Sequence, residues 1–275
     1  MQNKIILGCA LFFLSTTNVC AQDESFHDAD PRNSDWRGGI AASHDGEIKL
    51  VAGGGFTNLT GRNTQTNMLL EYYTDSNNAR FRSIHFDERF GGLYIDLIHT
   101  EEVSNTYTAG YMLPLKTESG LMFFPSVNYS YVDWDSKSLG NNLESACYSY
   151  ADLEQGRCNS LKSFGGQNAV NAYLKDDTAH LASVSIYAVK PWNETHYTVL
   201  QANSGSSFEG TDMNVLNLFL LQGIRTHLGE NILNIYLELK YDVVEVQGSQ
   251  YNPVTQQGDV KSEETTASVG FDFRF

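Results

Sequence analysis

Apolar and polar residues alternate with a period of two along much of this chain. From 233 to 243 the positions Leu233, Ile235, Leu237, Leu239, Tyr241 and Val243 interleave with Asn234, Tyr236, Glu238, Lys240 and Asp242. The last residues repeat the pattern, with Ala267, Val269, Phe271, Phe273 and Phe275 against Thr266, Ser268, Gly270, Asp272 and Arg274. Successive side chains of a strand point to opposite faces, so both segments are predicted strands with one apolar and one polar face. The same reading places strands near 263–275, 230–246, 213–227, 194–203, 178–190, 119–133, 105–115 and 90–100. Less regular ones follow at 79–87, 66–74, 46–57 and 36–43, the last two joined by a tight turn at His44-Asp45-Gly46. The class is all-β and antiparallel, with 12 strands expected and 10 as the alternative.

Alternation is common to soluble sandwiches and membrane barrels. Length distinguishes them, because the 230–246 strand exceeds the usual five or six residues and covers the roughly 9–11 needed to cross a bilayer at a tilt. The connections agree, since transmembrane barrels alternate short turns at one end with longer loops at the other. Turns at Leu228–Asn231, Pro191–Glu194, Lys116–Gly120 and Asp87–Phe90 are short, whereas 247–262, 204–212 and 134–177 are long. Two connections break the pattern: a tight one at Asp75–Asn78 and a rather long one at Leu59–Gln65. Aromatics fall where interfacial girdles belong, with Tyr107, Tyr129, Tyr131, Trp134 and Tyr241 toward the long-loop end and Trp192, Phe273 and Phe275 toward the other.

The first 21 residues, with an apolar run from Ile5 to Leu14 and a Val19-Cys20-Ala21 end, read as a cleaved secretory signal peptide. Residues 22–275 then form one barrel domain. Cys147 and Cys158 are the cysteines that remain, and an exported chain with two suggests one disulfide. It would clip the long 134–177 loop, a closure of about a dozen residues worth roughly 3 kcal/mol in chain entropy. Two thiols without nearby histidines argue against a metal, and a formal charge of −15 argues against nucleic acid.

The terminal Gly270-Phe271-Asp272-Phe273-Arg274-Phe275 resembles the C-terminal signature of Gram-negative outer-membrane β-barrels. That resemblance implies an outer-membrane location, contact with its lipids and lipopolysaccharide, and recognition of Phe271, Phe273 and Phe275 by the barrel-assembly machinery. It also sets Phe275 at the periplasmic side and the long loops outside. In strand number the chain resembles outer-membrane phospholipases, a nucleoside channel and oligosaccharide-specific small porins, whose activities differ, so the side chains must decide.

Catalytic patterns are weak. The phospholipase arrangement of His and Ser two residues apart has its nearest match in His196 and Thr198, with Thr for Ser and no evident Asn partner. No zinc-binding His-Glu-x-x-His, phosphate loop or Gly-x-Ser-x-Gly occurs, and no cofactor is expected. Gly53-Gly54-Gly55 reads as a bend or a place of close packing. The informative face is the inner one, to which alternation assigns Glu71, Asp96, Thr106, Thr108, Ser126, Asn128, Ser130, Asn217, Arg225, Tyr236, Glu238, Lys240, Asp242, Asp272 and Arg274. Arg80 and Arg82 face either the lumen or lipopolysaccharide phosphates.

Such a polar lining is either a solute path or a salt-bridged filling; 12 strands enclose more room than the eight that side chains fill, which favours a path. The expected function is a passive channel for small hydrophilic solutes, with no covalent chemistry. The rivals are a lipid-active enzyme and a closed structural barrel. The 134–177 excursion, with a short helix expected near 167–174, either constricts the mouth or lies outside it.

Overall fold

The computed structural model describes residues 26–149, 161, 164–248 and 259–275. Residues 1–21 and Cys158 therefore lie outside the described residues. The strands are β1 (Arg37–Ser43), β2 (Ile48–Thr57), β3 (Thr64–Tyr73), β4 (Ala79–Asp87), β5 (Gly91–Thr100), β6 (Ser104–Met112), β7 (Leu115–Lys116), β8 (Met122–Trp134), β9 (Thr178–Pro191), β10 (His196–Gly210), β11 (Asp212–Leu228), β12 (Asn231–Gln247) and β13 (Asp259–Arg274). Each pairs antiparallel with the next, except that β6 bonds to β8 directly and two-residue β7 only extends that hairpin. β1 also pairs with β13, from Arg37 opposite Arg274 to Ser43 opposite Ser268. Twelve strands thus close into an up-and-down barrel. The ten-strand alternative does not hold.

Closure leaves no sheet edge, which is what lets strands cross hydrocarbon. The outward set shows the matching surface: Leu50, Leu70, Leu93, Ile95, Val127, Val184, Leu200, Leu218, Leu220, Ile235, Leu237, Val269 and Phe271 are all exposed. An apolar belt around a closed barrel belongs in a bilayer, and this architecture is that of outer-membrane-type β-barrels. Tyr107, Tyr129, Tyr131, His180 and Phe208 make a continuous run of rings on the outer surface near one rim, with centroids 5.2–6.3 Å apart.

Strand ends shift by a few residues at several hairpins, most at one of them, and one side chain turns to the other face. Residues 204–210, expected in a loop, continue β10, and Thr211 alone separates it from β11. That turn is fixed by Thr211 N–H donating to Thr178 O at 2.8 Å, which welds it to the start of β9. Trp134, expected in the girdle, stands opposite Ser104 in the inward register and packs inside with Val132.

The seam where the first and last strands meet is built of small inward residues. Lys49 lies opposite Ala41, Ala41 opposite Gly270, and Gly270 opposite Tyr236. A Cβ on Gly270 would come 2.7 Å from both the Ala41 Cβ and the Tyr236 ring, and one on Gly39 would come 2.6 Å from Phe271 O. The glycine triplet is likewise a place of close packing, with Trp36 lying over Gly54 and the Thr66 carbonyl against Gly55. Gly270→Leu should therefore cost about 1–3 kcal/mol by overpacking. A lower urea midpoint for loss of the fast-migrating folded band on unheated gels checks this, beside an outward Val269→Leu control that leaves the midpoint in place.

Candidate functional site

The interior splits into two chemically different walls. On β2 to β5 and β12 the inward face carries a band of charged residues. Lys49 Nζ lies 2.6 and 2.8 Å from the two Glu238 carboxylate oxygens, reaching across the seam, and 3.7 Å from Glu71. Glu71 also accepts from Arg82 at 2.9 Å, and Arg80 Nε donates to Asp96 Oδ1 at 2.9 Å. Tyr94 donates its hydroxyl to Asp96, and Lys240 Nζ donates to the Tyr73 hydroxyl at 3.0 Å. Lys49, Glu71 and Glu238 retain only 7–8% of their side-chain exposure, so none of them meets bulk solvent alone. Charges this far from water persist because each is paired. Both arginines of β4 belong to this band, which settles their side of the sheet: they face inward.

Across the lumen, hydroxyls and amides face inward at mid-barrel on β6 and β8 to β10, while on β11 the inward Phe219 and Leu221 stand opposite Lys240 and Glu238. Thr108 and Ser130 share a hydrogen bond of 2.7 Å, Ser126 pairs with Ser185, and Asn128 Nδ2 lies 3.3 Å from Ser185 Oγ. Asn203 donates to Asn217 at 2.9 Å, and Asn217 donates to Asp242 at 2.9 Å, which joins this wall to the charged one. Groups of this kind exchange partners with water or a solute hydroxyl at little net cost.

The two barrel ends are closed differently. At the end distant from the chain's last residue, the chain leaves β8 into helix α1 (Ser136–Ser149) and returns through α2 (Gly166–Tyr173). Asp135 Oδ1 accepts from the Ser138 N–H at 2.9 Å, the side-chain cap that starts α1. The helices cross at Gly140 and Gly166, where either Cβ would strike the other's backbone. Val170, Tyr173 and Leu174 then pack on Val132, Leu181, Met213 and Val246, which all belong to the inward register. The described part of the excursion therefore turns in over the mouth.

At the other end, where Phe275 N–H donates to Trp36 O, the segment 26–35 lies inside the barrel. Asp28, Asp30 and Asn33 are 2–4% exposed. Tyr187 donates to Ala29 O at 2.8 Å, Arg225 Nε stands 3.1 Å from Asp28 Oδ2, and Arg274 donates to Asn33 Oδ1 at 3.2 Å. The His27 ring meets Tyr197 edge-on at 4.9 Å, and Ala29 packs against the cluster of Phe86, Met112, Met122, Phe124, Val189, Tyr197 and Val199. Burial holds the His27 imidazole below its ordinary pKa.

The residues assigned to the interior by alternation stand in the inward register: Glu71, Asp96, Glu238 and Lys240 in the charged band, Ser126, Asn128 and Ser130 on the hydroxyl wall, Asp242 between them, and Arg225, Tyr236, Asp272 and Arg274 near segment 26–35. Arg37 and Lys49 share that register and are missed by the alternation, because small residues, Gly38-Gly39 on β1 and Gly53-Gly54-Gly55 on β2, interrupt the apolar face of both strands. Segment 26–35 had no periodic signal at all. His196 and Thr198 face outward, and Asn193 Oδ1 does stand 3.3 Å from His196 Nδ1. The Thr198 hydroxyl, however, is bound to Gln222 and Trp192, at 2.6 and 2.8 Å, and not to the imidazole. Cys147 stands on α1.

No protein-family profile matches the chain, and no curated protein matches it. Among solved structures it is similar to the KdgM porin, at TM-score 0.41 and 9% identity over 87% of this chain and 98% of that one. It is also similar to the NanC porin, at 0.41 and 11% over 88% and 98%. A bacterial polysaccharide outer membrane secretin aligns at 0.34 and 8% over 89% and 98%. At such identities the likeness concerns the fold alone.

Removing Lys49 tests the charged band. Lys49→Met leaves Glu238 and Glu71 buried without their cation and should destabilise the barrel by about 3–5 kcal/mol. Lys49→Met combined with Glu238→Gln should recover part of that loss in a urea titration followed by tryptophan fluorescence. Equal stability of Lys49→Met and the unaltered protein would contradict the pairing.

Proposed function

We propose that the chain is an outer-membrane channel for passive movement of small hydrophilic solutes. The observation that carries this reading is the two-walled interior at mid-barrel, where a band of paired charges faces a continuous run of hydroxyls and amides. A solute that sheds water there meets donors and acceptors on most sides, while the charges stay neutralised by one another. At mid-barrel the charged band and the hydroxyl and amide side chains line most of the circumference, with Phe219 and Leu221 on β11 as an apolar strip between them, a mixed lining of the kind a path for small hydrophilic solutes can use. The KdgM and NanC porins are named as porins, and this reading places the present chain in the same broad role.

The remaining parts of the proposal follow from the orientation of the termini. The end carrying Trp36 and Phe275 faces the periplasm, and the helical excursion faces outward. Residues 1–21 are the cleaved export signal. Phe271, Phe273 and Phe275 form the strand that the barrel-assembly machinery takes up, and lipopolysaccharide surrounds the aromatic run near Tyr129. Cys147 and Cys158 form a disulfide that limits how far the excursion swings over the mouth.

Two measurements test this. Refolded protein in a planar bilayer should give discrete conductance steps, and Glu238→Gln, which removes one negative charge from the lumen and leaves Lys49 in place, should shift the permeability ratio toward anions. Silence of both the full-length mature protein and a form beginning at Ser34 would overturn the channel reading. Reduction of the protein should add one electrophoretic form only if the disulfide exists; an unchanged free-thiol count before and after reductant would remove it.

A further inference from the structure

We propose that residues 26–33 are a releasable gate seated in the barrel's terminal mouth, a proposal that rests on the channel reading above. The segment crosses the opening from wall to wall. Its contacts reach Asn67 on β3, Tyr187 on β9, Arg225 on β11 and Arg274 on β13, while Arg32 lies over the Phe124 ring on β8 at 5.5 Å. With Phe124 and Val189 fully buried and Tyr197 and Phe86 nearly so, no water reaches those side chains while it is docked.

Three features mark it as movable. The first is its attachment. Gly55 N–H donates to Ser34 O at 2.9 Å and Phe275 N–H donates to Trp36 O at 3.1 Å, so the chain is stitched to the sheet from Ser34 onward. Among the described residues, no backbone-to-backbone hydrogen bond joins 26–33 to any strand. Side chains alone hold it.

The second is internal order. Asp30 N–H donates to His27 O at 2.8 Å, Asn33 N–H to Asp30 O at 2.9 Å, the Asn33 amide to Phe26 O at 3.0 Å, and Arg32 grips the Asp30 carboxylate at 2.7 and 3.0 Å. A segment that satisfies its own polar groups leaves and returns as one body, with little new backbone exposed on departure.

The third is a loosely paired seat. Around the segment the buried charges meet as ion pairs off hydrogen-bonding geometry, Asp272 Oδ2 with Arg274 Nε at 3.4 Å among them. Asp28 and Arg225 stand at ion-pair distance but off hydrogen-bonding geometry. An ion pair without a well-aligned hydrogen bond holds less firmly than a bidentate one, so the segment is attached by contacts that separate at modest cost. A permanent plug would gain by tightening them. A gate that must open does better without.

The test compares three mature proteins in planar bilayers: the unaltered chain, a form beginning at Ser34, and Asp28→Asn, each first shown to be folded by heat-modifiable migration. The shortened form should pass at least about tenfold more mean current per inserted protein, and Asp28→Asn should raise the open fraction by a factor of about ten, the scale of a contact to a charged group. Equal currents from all three would overturn the gate and leave the channel standing. Silence from all three would overturn both. If the shortened form does not fold, Ala29→Cys in the full chain supplies a second readout: a membrane-impermeant maleimide should label it slowly, and about tenfold faster when Asp28→Asn is added. Labelling at the rate of an exposed thiol in both would overturn the gate.

Discussion

In hydrocarbon an unpaired peptide group costs several kcal/mol, so a chain that crosses a bilayer as strands must bond its first strand to its last. Most else in this protein follows from that closure. β1 has seven residues and β13 sixteen, and they meet through only seven paired positions. Small inward residues at Gly39, Ala41 and Gly270 bring the backbones together without crowding, and the same absence of bulk opens the line along which Lys49 reaches Glu238. The contact that ties β2 to β12 therefore spans the junction that most needs support. Its worth depends on burial, for an exposed pair of the same kind contributes about 1 kcal/mol or less.

Closure also sorts the chemistry. Because the outward face must match lipid, most of the charged side chains within the membrane span are pressed inward. There the charges of β2 to β5 and β12 neutralise one another, leaving the opposite wall to hydroxyls and amides. The interior is thus polar without carrying a strong field along its middle. The ends are treated separately, one by an α-helical excursion continuous with β8 and β9 and one by a turn-rich segment that precedes β1. Chain connectivity explains the difference: the excursion is anchored at both of its ends, whereas the segment before Ser34 is anchored at one.

Much of this was legible in the residue pattern. The eight strands from 90 onward were visible as alternating runs and the four before them as less regular ones, since the two faces of a barrel wall meet opposite solvents and the sequence must switch at each step. The inward identities of Glu238, Lys240 and Asp272 followed from the same rule. The Gly166–Tyr173 helix was legible too, near 167–174, from its composition. Where the pattern misled, the reason was local. Ser204 to Gly210 carries serines and glycines that resemble a loop, yet it continues as strand because a hairpin that projects beyond the bilayer needs no apolar face. Trp134 looked interfacial because aromatic residues at strand ends usually are, but its register turned it toward α2.

What the sequence by itself determined is the class of fold and the side of the barrel wall on which a residue stands, because these depend on period and on the solvent each face meets; 12 strands against ten was settled by the closure of β1 on β13. What the tertiary structure decided is which inward residues touch. Lys49 and Glu238 are 189 positions apart, and Asp28 and Arg225 lie on elements that no periodicity relates. Contacts between distant strands depend on register around the whole ring, and the docking of residues 26–33 depends on a cavity that exists only once the ring has closed.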